Sequence, residues 1–183
     1  MREKLVNIIF ALATKPSRLR RFMTPVAMLL FFLTMSALIT LLVIIEKDIY
    51  TIKIIPRFLK LLLSLPLMAT GIFLMFWSNL HFFKVKGSPV PFNPPPRVVS
   101  SGPYVYVRNP MFLGLFILIL GLGVFFESWI LVFILLPILI VLVVWELKTI
   151  EEPELEKRLG SEYVEYKKRT PLLFPKRLRP SPP

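Results

Sequence analysis

No cysteine occurs anywhere in the 183 residues. Disulfides, thiolate metal ligands and cysteine nucleophiles are excluded together. Histidine occurs once, at His81, so neither an HExxH helix nor a paired-histidine metal site can be built. Acidic residues are scarce as well, 11 against 23 lysines and arginines, which leaves a formal charge of +12. That charge does not by itself point to nucleic acid. With 55% of residues hydrophobic and a mean hydropathy of +0.69, basic flanks set membrane topology and touch anionic lipid. Membrane lipid is the expected partner, with no nucleic acid and no metal.

What the chain does have is long apolar runs. A helix needs about 20 apolar residues to cross the hydrocarbon layer. Val26 to Ile45 meets this without a charge. Leu61 to Phe83 is a second candidate, with Pro66 as a kink and Trp77 near the interface. Met111–Phe126 and Trp129–Trp145 are shorter and separated only by Glu127 and Ser128, so they read as a tight helical hairpin, with Ser128 able to cap the second arm. The expected fold is an all-α integral membrane protein of four transmembrane helices. Residues 1–21 form a basic amphipathic segment, 22–85 the first two spans, 86–175 a core of loop, hairpin and C-terminal helices, and 176–183 a flexible tail.

Charge orients this bundle. Placing the N-terminus, the second loop and the C-terminus on one side puts 19 of the 23 lysines and arginines there. The positive-inside rule makes both termini cytoplasmic. Leu5, Ile8, Ile9 and Leu12 fall on one helical face, which favours an interfacial N-terminal helix over a signal peptide. Near the other end, Leu155, Leu159, Tyr163 and Tyr166 recur at helical spacing, with a break expected at Gly160-Ser161.

Three stretches carry candidate chemistry. In "GPYVYVRNPMFLG" (Gly102–Gly114), Asn109-Pro110 reads as a helix start, asparagine capping and proline at the first position. That start would present free N–H groups and a positive dipole end to the cytoplasmic face, with Arg108 beside it as either an anion ligand or a snorkelling cation. The preceding proline-rich segment, Gly87–Tyr104, fits a packed lid or pocket wall. In "ELKTIEEPELEKRLG", Glu151 and Glu152 stand where carboxylates are costly unless paired or wet, or else form the acidic N-terminus of a helix starting at Pro153. The hairpin returns them to the depth of Arg108 and Asn109. Gly121 and Gly123 form a GxG that serves either close helix packing or a site.

The ordered set "VVSSGPYVYVRNPMFLG", an apolar hairpin, and then "IEEPELEKRLGSEYVEYKKRTPLLFP" resembles the isoprenylcysteine carboxyl methyltransferase and phospholipid methyltransferase superfamily over Lys86–Pro175. The resemblance implies an integral membrane methyltransferase that uses S-adenosyl-L-methionine on a lipid-like small molecule. The cytoplasmic loop and C-terminal amphipathic helices would form the cofactor pocket. Carried over by position, the cofactor side is Arg97, Val98, Val99, Tyr104, Asn109, Pro110, Met111, Phe112, Gly121, Gly123, Glu151 and Glu152. Arg108 and Asn109 would stand at the reaction centre, with Lys148 and His81 toward the substrate. The family histidine of "RHP" is Asn109 here, so an amide replaces an imidazole. Prenylcysteine-methylating members carry a basic residue where this chain has Leu147, with Lys148 adjacent. Two other readings stay open: a relative of NADPH-dependent sterol reductases, and a non-enzymatic membrane assembly or transport subunit.

Overall fold

The computed structural model describes residues 18–49, 55–84 and 95–174, together with positions 3, 6, 7, 10 and 11. All regular structure among these residues is helical. The elements are α1 (Arg18–Ile49), α2 (Arg57–Lys84), α3 (Pro110–Phe126), α4 (Ile130–Leu159) and α5 (Ser161–Arg169), with a 3₁₀ turn at Gly102–Val105 ahead of α3. Leu5, Ile8, Ile9 and Leu12, the core of the amphipathic reading, lie outside the described residues. So do residues 87–94 of the proline-rich segment and the 176–183 tail.

Three helices, Pro25–Ile49, Arg57–Phe82 and Ile130–Leu159, are long and apolar enough to cross a membrane; Pro110–Phe126 is apolar but shorter, at 17 residues. Their exposed faces are greasy. Leu29, Phe58, Phe73 and Phe76 stand out from the bundle, whereas Ser64 and Ser78 are fully buried. A helix in water would show the reverse pattern.

The fourth apolar helix departs from expectation. Instead of ending near Trp145 and restarting at Pro153, it runs unbroken to Leu159. A proline inside an α-helix lacks an N–H and clashes with the carbonyl four residues back. Here the helix widens to a π turn just before each proline, at Ile130–Leu135 before Pro137 and at Leu147–Glu151 before Pro153. The Leu136 N–H bonds Leu131 O and the Glu152 N–H bonds Leu147 O, each five residues back. No helix starts at Pro153, so Glu152 is not an N-terminal acid serving a helix dipole. The break before α5 does fall at Gly160, where φ is +61° and open space surrounds the residue. Backbone conformation, not crowding, selects glycine there.

Small residues set the helix spacing. A Cβ on Gly71 would lie 2.7 Å from the Gly114 carbonyl oxygen, and one on Gly121 would lie 2.9 Å from Met68 N, so α2 and α3 touch backbone to backbone. Gly123 faces the other way, against Val132 of α4. The apolar contact centred on Met75, Leu115 and Ile119 lies along the α2–α3 seam.

Helix α1 joins the hairpin at its far end through Val43, Leu131 and Leu135. Glu46, buried, accepts hydrogen bonds from Ser128 Oγ, from the Trp129 N–H at 2.6 Å and from the Ile130 N–H at 3.3 Å. Ser128 Oγ in turn accepts from the Leu131 N–H at 3.2 Å. The start of α4 is thus capped by its own serine and by a carboxylate from another helix, the arrangement that orphan N–H groups and the helix dipole favour. Lys60 and Glu127 pair at 2.8 Å beside it.

Candidate functional site

The opposite end of the bundle is built around the entrance to α3. Two backbone bonds hold it: Arg108 N–H to Pro171 O at 2.8 Å and Asn109 N–H to Leu172 O at 3.1 Å. Residues after α5 therefore fold back as a short brace under the entrance. Pro110 occupies the first helical position, where a missing N–H costs nothing. Asn109 is the N-cap residue, but its side chain makes no capping bond. The expected asparagine cap is absent, and the amide instead lines a cavity. The 3₁₀ turn upstream depends on Gly102, at φ +61° and directly against the His81 ring, where no side chain fits.

The cavity occupies ≈ 150 Å³ between this entrance, the 95–99 loop, the end of α2, α5 and the second π turn of α4. Phe82, Tyr104, Met111 and Phe112 supply apolar surface; Arg97, Arg108, Glu146, Glu151, Glu154 and Arg158 supply charge. Tyr104 stands edge-on to Phe82 with ring centroids 5.3 Å apart. Its carbonyl accepts from the Tyr166 hydroxyl at 2.7 Å, which ties the 3₁₀ turn to α5.

Buried ion pairs close the walls. Arg108 Nη1 donates to Glu152 Oε1, and Lys167 Nζ meets Glu152 Oε2 at 2.6 Å and Glu156 Oε1 at 2.8 Å. Arg158 bonds Glu154 at 2.7 Å through Nε and the Pro95 carbonyl at 2.7 Å through Nη1, so α4 also anchors the loop. Among the described residues, Glu151 and Glu146 have no hydrogen bond or ion pair. Arg108 Nε is buried without a hydrogen-bond partner. Burial pushes the Tyr104, Tyr163 and Tyr166 hydroxyls well above the ordinary tyrosine value, so they remain neutral phenols rather than bases. Hydrogen bonds to Glu152 and Glu156 raise Lys167 and keep it cationic.

Of the residues singled out from sequence, Arg97, Val98, Val99, Tyr104, Arg108, Asn109, Met111, Phe112 and Glu151 line this one cavity. Pro110 is buried at the base of α3, and Glu152 lies behind the wall, holding Arg108 and Lys167. Gly121 and Gly123 sit in helix contacts further along α3. His81 is buried against Gly102 with Nδ1 2.9 Å from the Trp77 carbonyl, outside the cavity lining. Lys148 is exposed in a shallow groove with Val141, Val144 and Trp145, and Leu147 is buried. Sequence reasoning placed none of Phe82, Glu146, Glu154, Arg158, Tyr163 and Tyr166 in the site. The helical spacing of Leu155, Leu159, Tyr163 and Tyr166 marked a buried face without saying what that face covers.

A family model described as phospholipid methyltransferase matches residues 59–162, more than half of the chain. The match begins in α2, earlier than the motif resemblance reached, and takes in α3, α4, the 3₁₀ turn and the acidic stretch. No curated protein and no solved structure matches the chain. With greasy helices of membrane-spanning length around one charged cavity, and a family of methyltransferases matched across it, the chain belongs to the phospholipid methyltransferase family.

Proposed function

We propose that the protein is an S-adenosyl-L-methionine-dependent methyltransferase acting on a lipid-like acceptor. In this reading four helices span the membrane, both termini are cytoplasmic, and the cavity opens on that side. The observation that carries the proposal is the meeting, in one cavity inside the family-matched segment, of an uncapped helix entrance and a carboxylate, Glu151, that has no ion pair among the described residues.

The residues fit the cofactor's chemistry. Glu151 suits an ammonium. The first-turn N–H groups of α3, with the unpartnered Nε–H of Arg108, suit a carboxylate. Phe82, Tyr104 and Phe112 offer ring faces and edges for an adenine and a sulfonium. Arg97, Val98, Val99 and Met111 complete the enclosure. When bound, the group supplies an activated methyl, and an in-line displacement needs alignment more than elaborate chemistry. The chain's part is to hold two reactants in line and exclude water. The buried pairs at Glu152 and Glu154 serve this by fixing Arg108, α5 and the 95–99 loop against α4.

The test is calorimetric binding of S-adenosylhomocysteine to the protein in lipid nanodiscs. Micromolar binding is expected. A folded protein that does not bind refutes the proposal.

A further inference from the structure

Among the described residues, the cavity holds one more carboxylate without an ion pair than cofactor binding uses. Glu146 lines it together with Glu151. On a regular α-helix two residues five apart diverge by roughly 140°. The π turn at Leu147–Glu151 winds more slowly and brings both to one wall. The acids of this region then divide into two kinds. Glu152 is neutralised by Arg108 and Lys167, and Glu154 by Arg158. Glu146 and Glu151 have no such partner among the described residues.

Position separates these two. Glu151 lies toward the polar end of α4, about one turn before Glu154. Glu146 lies one turn further into the apolar run and directly follows Trp145, which is exposed. An amphiphile whose chain stays among the helices brings its head to that end first. Carboxylates at such depth are costly and mark function when they persist unpaired. The buried Nε of Arg108, without a hydrogen-bond partner across the same cavity, indicates that a polar ligand completes it, in the reading above the carboxylate of the methyl donor. His81, turned away with Nδ1 on the Trp77 carbonyl, is not available as a base here.

We propose that Glu146 is a further catalytic residue of the reaction read above, an inference that rests on that reading: it takes the proton of an acceptor whose nucleophilic atom still carries one. The acceptor's lone pair forms the new bond to the methyl carbon as the carbon–sulfur bond breaks and its electron pair returns to sulfur. The proton of the nucleophile passes to a Glu146 carboxylate oxygen. The sulfonium charge and the carboxylate charge cancel, so the step leaves the net charge of the site unchanged. Amine, thiol and hydroxyl heads satisfy this scheme. A carboxylate head has no proton to give and is repelled by Glu146, consistent with the buried, apolar Leu147 next to it.

The experiment uses four single-chain probes in nanodiscs, dodecylamine, dodecanethiol, dodecanol and dodecanoate, with donor labelled in the methyl group. Wild type is expected to label at least one of the first three and not dodecanoate. Glu146→Gln is expected to lower that rate at least about 100-fold through kcat, while S-adenosylhomocysteine affinity stays within about threefold of wild type. Labelling of dodecanoate, an undiminished rate in Glu146→Gln, or a loss of S-adenosylhomocysteine binding as large as that of Glu151→Gln would each overturn the assignment. So would a wild type that binds S-adenosylhomocysteine yet labels none of the three proton-bearing probes. Failure of folded wild type to bind S-adenosylhomocysteine strikes instead at the methyltransferase reading itself.

Discussion

Glu151 and Glu152 are neighbours in sequence, yet the structure gives them opposite roles, and neutralising each in turn separates those roles. Both oxygens of Glu152 are in use, Oε1 by Arg108 and Oε2 by Lys167 at 2.6 Å. Glutamine has one acceptor oxygen, so Glu152→Gln can keep only one of these partners and loses the charge to both. Lys167 is 37% exposed and retains Glu156 at 2.8 Å, so its share of the loss is small. Arg108 is the expensive half, because its side chain is only 10% exposed and its counter-ion disappears. Breaking a buried pair costs about 3–5 kcal/mol, and the surviving amide oxygen offsets part of this. A net loss of about 2–4 kcal/mol follows, or a Tm lower by roughly 5–15 °C in a chain of this size. Among the described residues Glu151 has no ion pair to break. Removing its charge relieves the cost of burying it and the repulsion from Glu146, Glu154 and Glu152, against one attraction to Arg158, so the Tm of Glu151→Gln should hold or rise. Its cost appears on binding: a lost charge-assisted hydrogen bond is worth about 1.5–3 kcal/mol, roughly 10- to 150-fold in S-adenosylhomocysteine affinity. Thermal unfolding in detergent and calorimetry in nanodiscs measure the two effects separately. A destabilised Glu151→Gln beside an unchanged Glu152→Gln would refute this division of labour.

Gly71→Ala should force α2 and α3 apart, since its Cβ meets the backbone of Gly114 and Leu118 at 2.7 Å; a loss of about 1–3 kcal/mol is expected, and an unchanged Tm would count against the glycine contact. Glu46→Ala removes the cap on α4 and should cost about 1–2 kcal/mol without changing S-adenosylhomocysteine affinity, because it acts at the far end from the cavity. Stability should fall as pH rises above about 10. There the unfolded chain releases protons from Tyr104, Tyr163, Tyr166 and Lys167 that the folded chain retains, at up to about 1.4 kcal/mol per pH unit for each buried tyrosine. A Tm that stays flat from pH 8 to 11 would contradict that linkage.

The sequence made the helices legible because length and hydropathy alone govern which segments can span a bilayer. The convergence of Arg108, Asn109 and Glu151 was legible from the hairpin, which returns both arms to the same end. The unbroken α4 was not, because a proline such as Pro153 ordinarily signals a boundary, and whether a π turn absorbs it depends on the surrounding packing. Glu46 capping a helix more than 80 residues away, and Gly71 meeting Gly114, are tertiary pairings with no local signature. Glu146 escaped for a related reason. Counted on an α-helical wheel it points away from Glu151, and only the slower winding of the π turn puts the two side by side.

The brace under α3 also separates the part of the chain that spans from the part that frames. The apolar helices end at Leu159, so residues 171 and 172 add nothing to the greasy bundle itself. Those two carbonyls hold the N–H groups of Arg108 and Asn109, at the mouth of a helix some sixty residues earlier in the chain. Bundle and cavity frame therefore depend on different stretches of sequence. A chain cut short after α5 would keep every apolar helix and lose the two bonds that frame the entrance to its cavity.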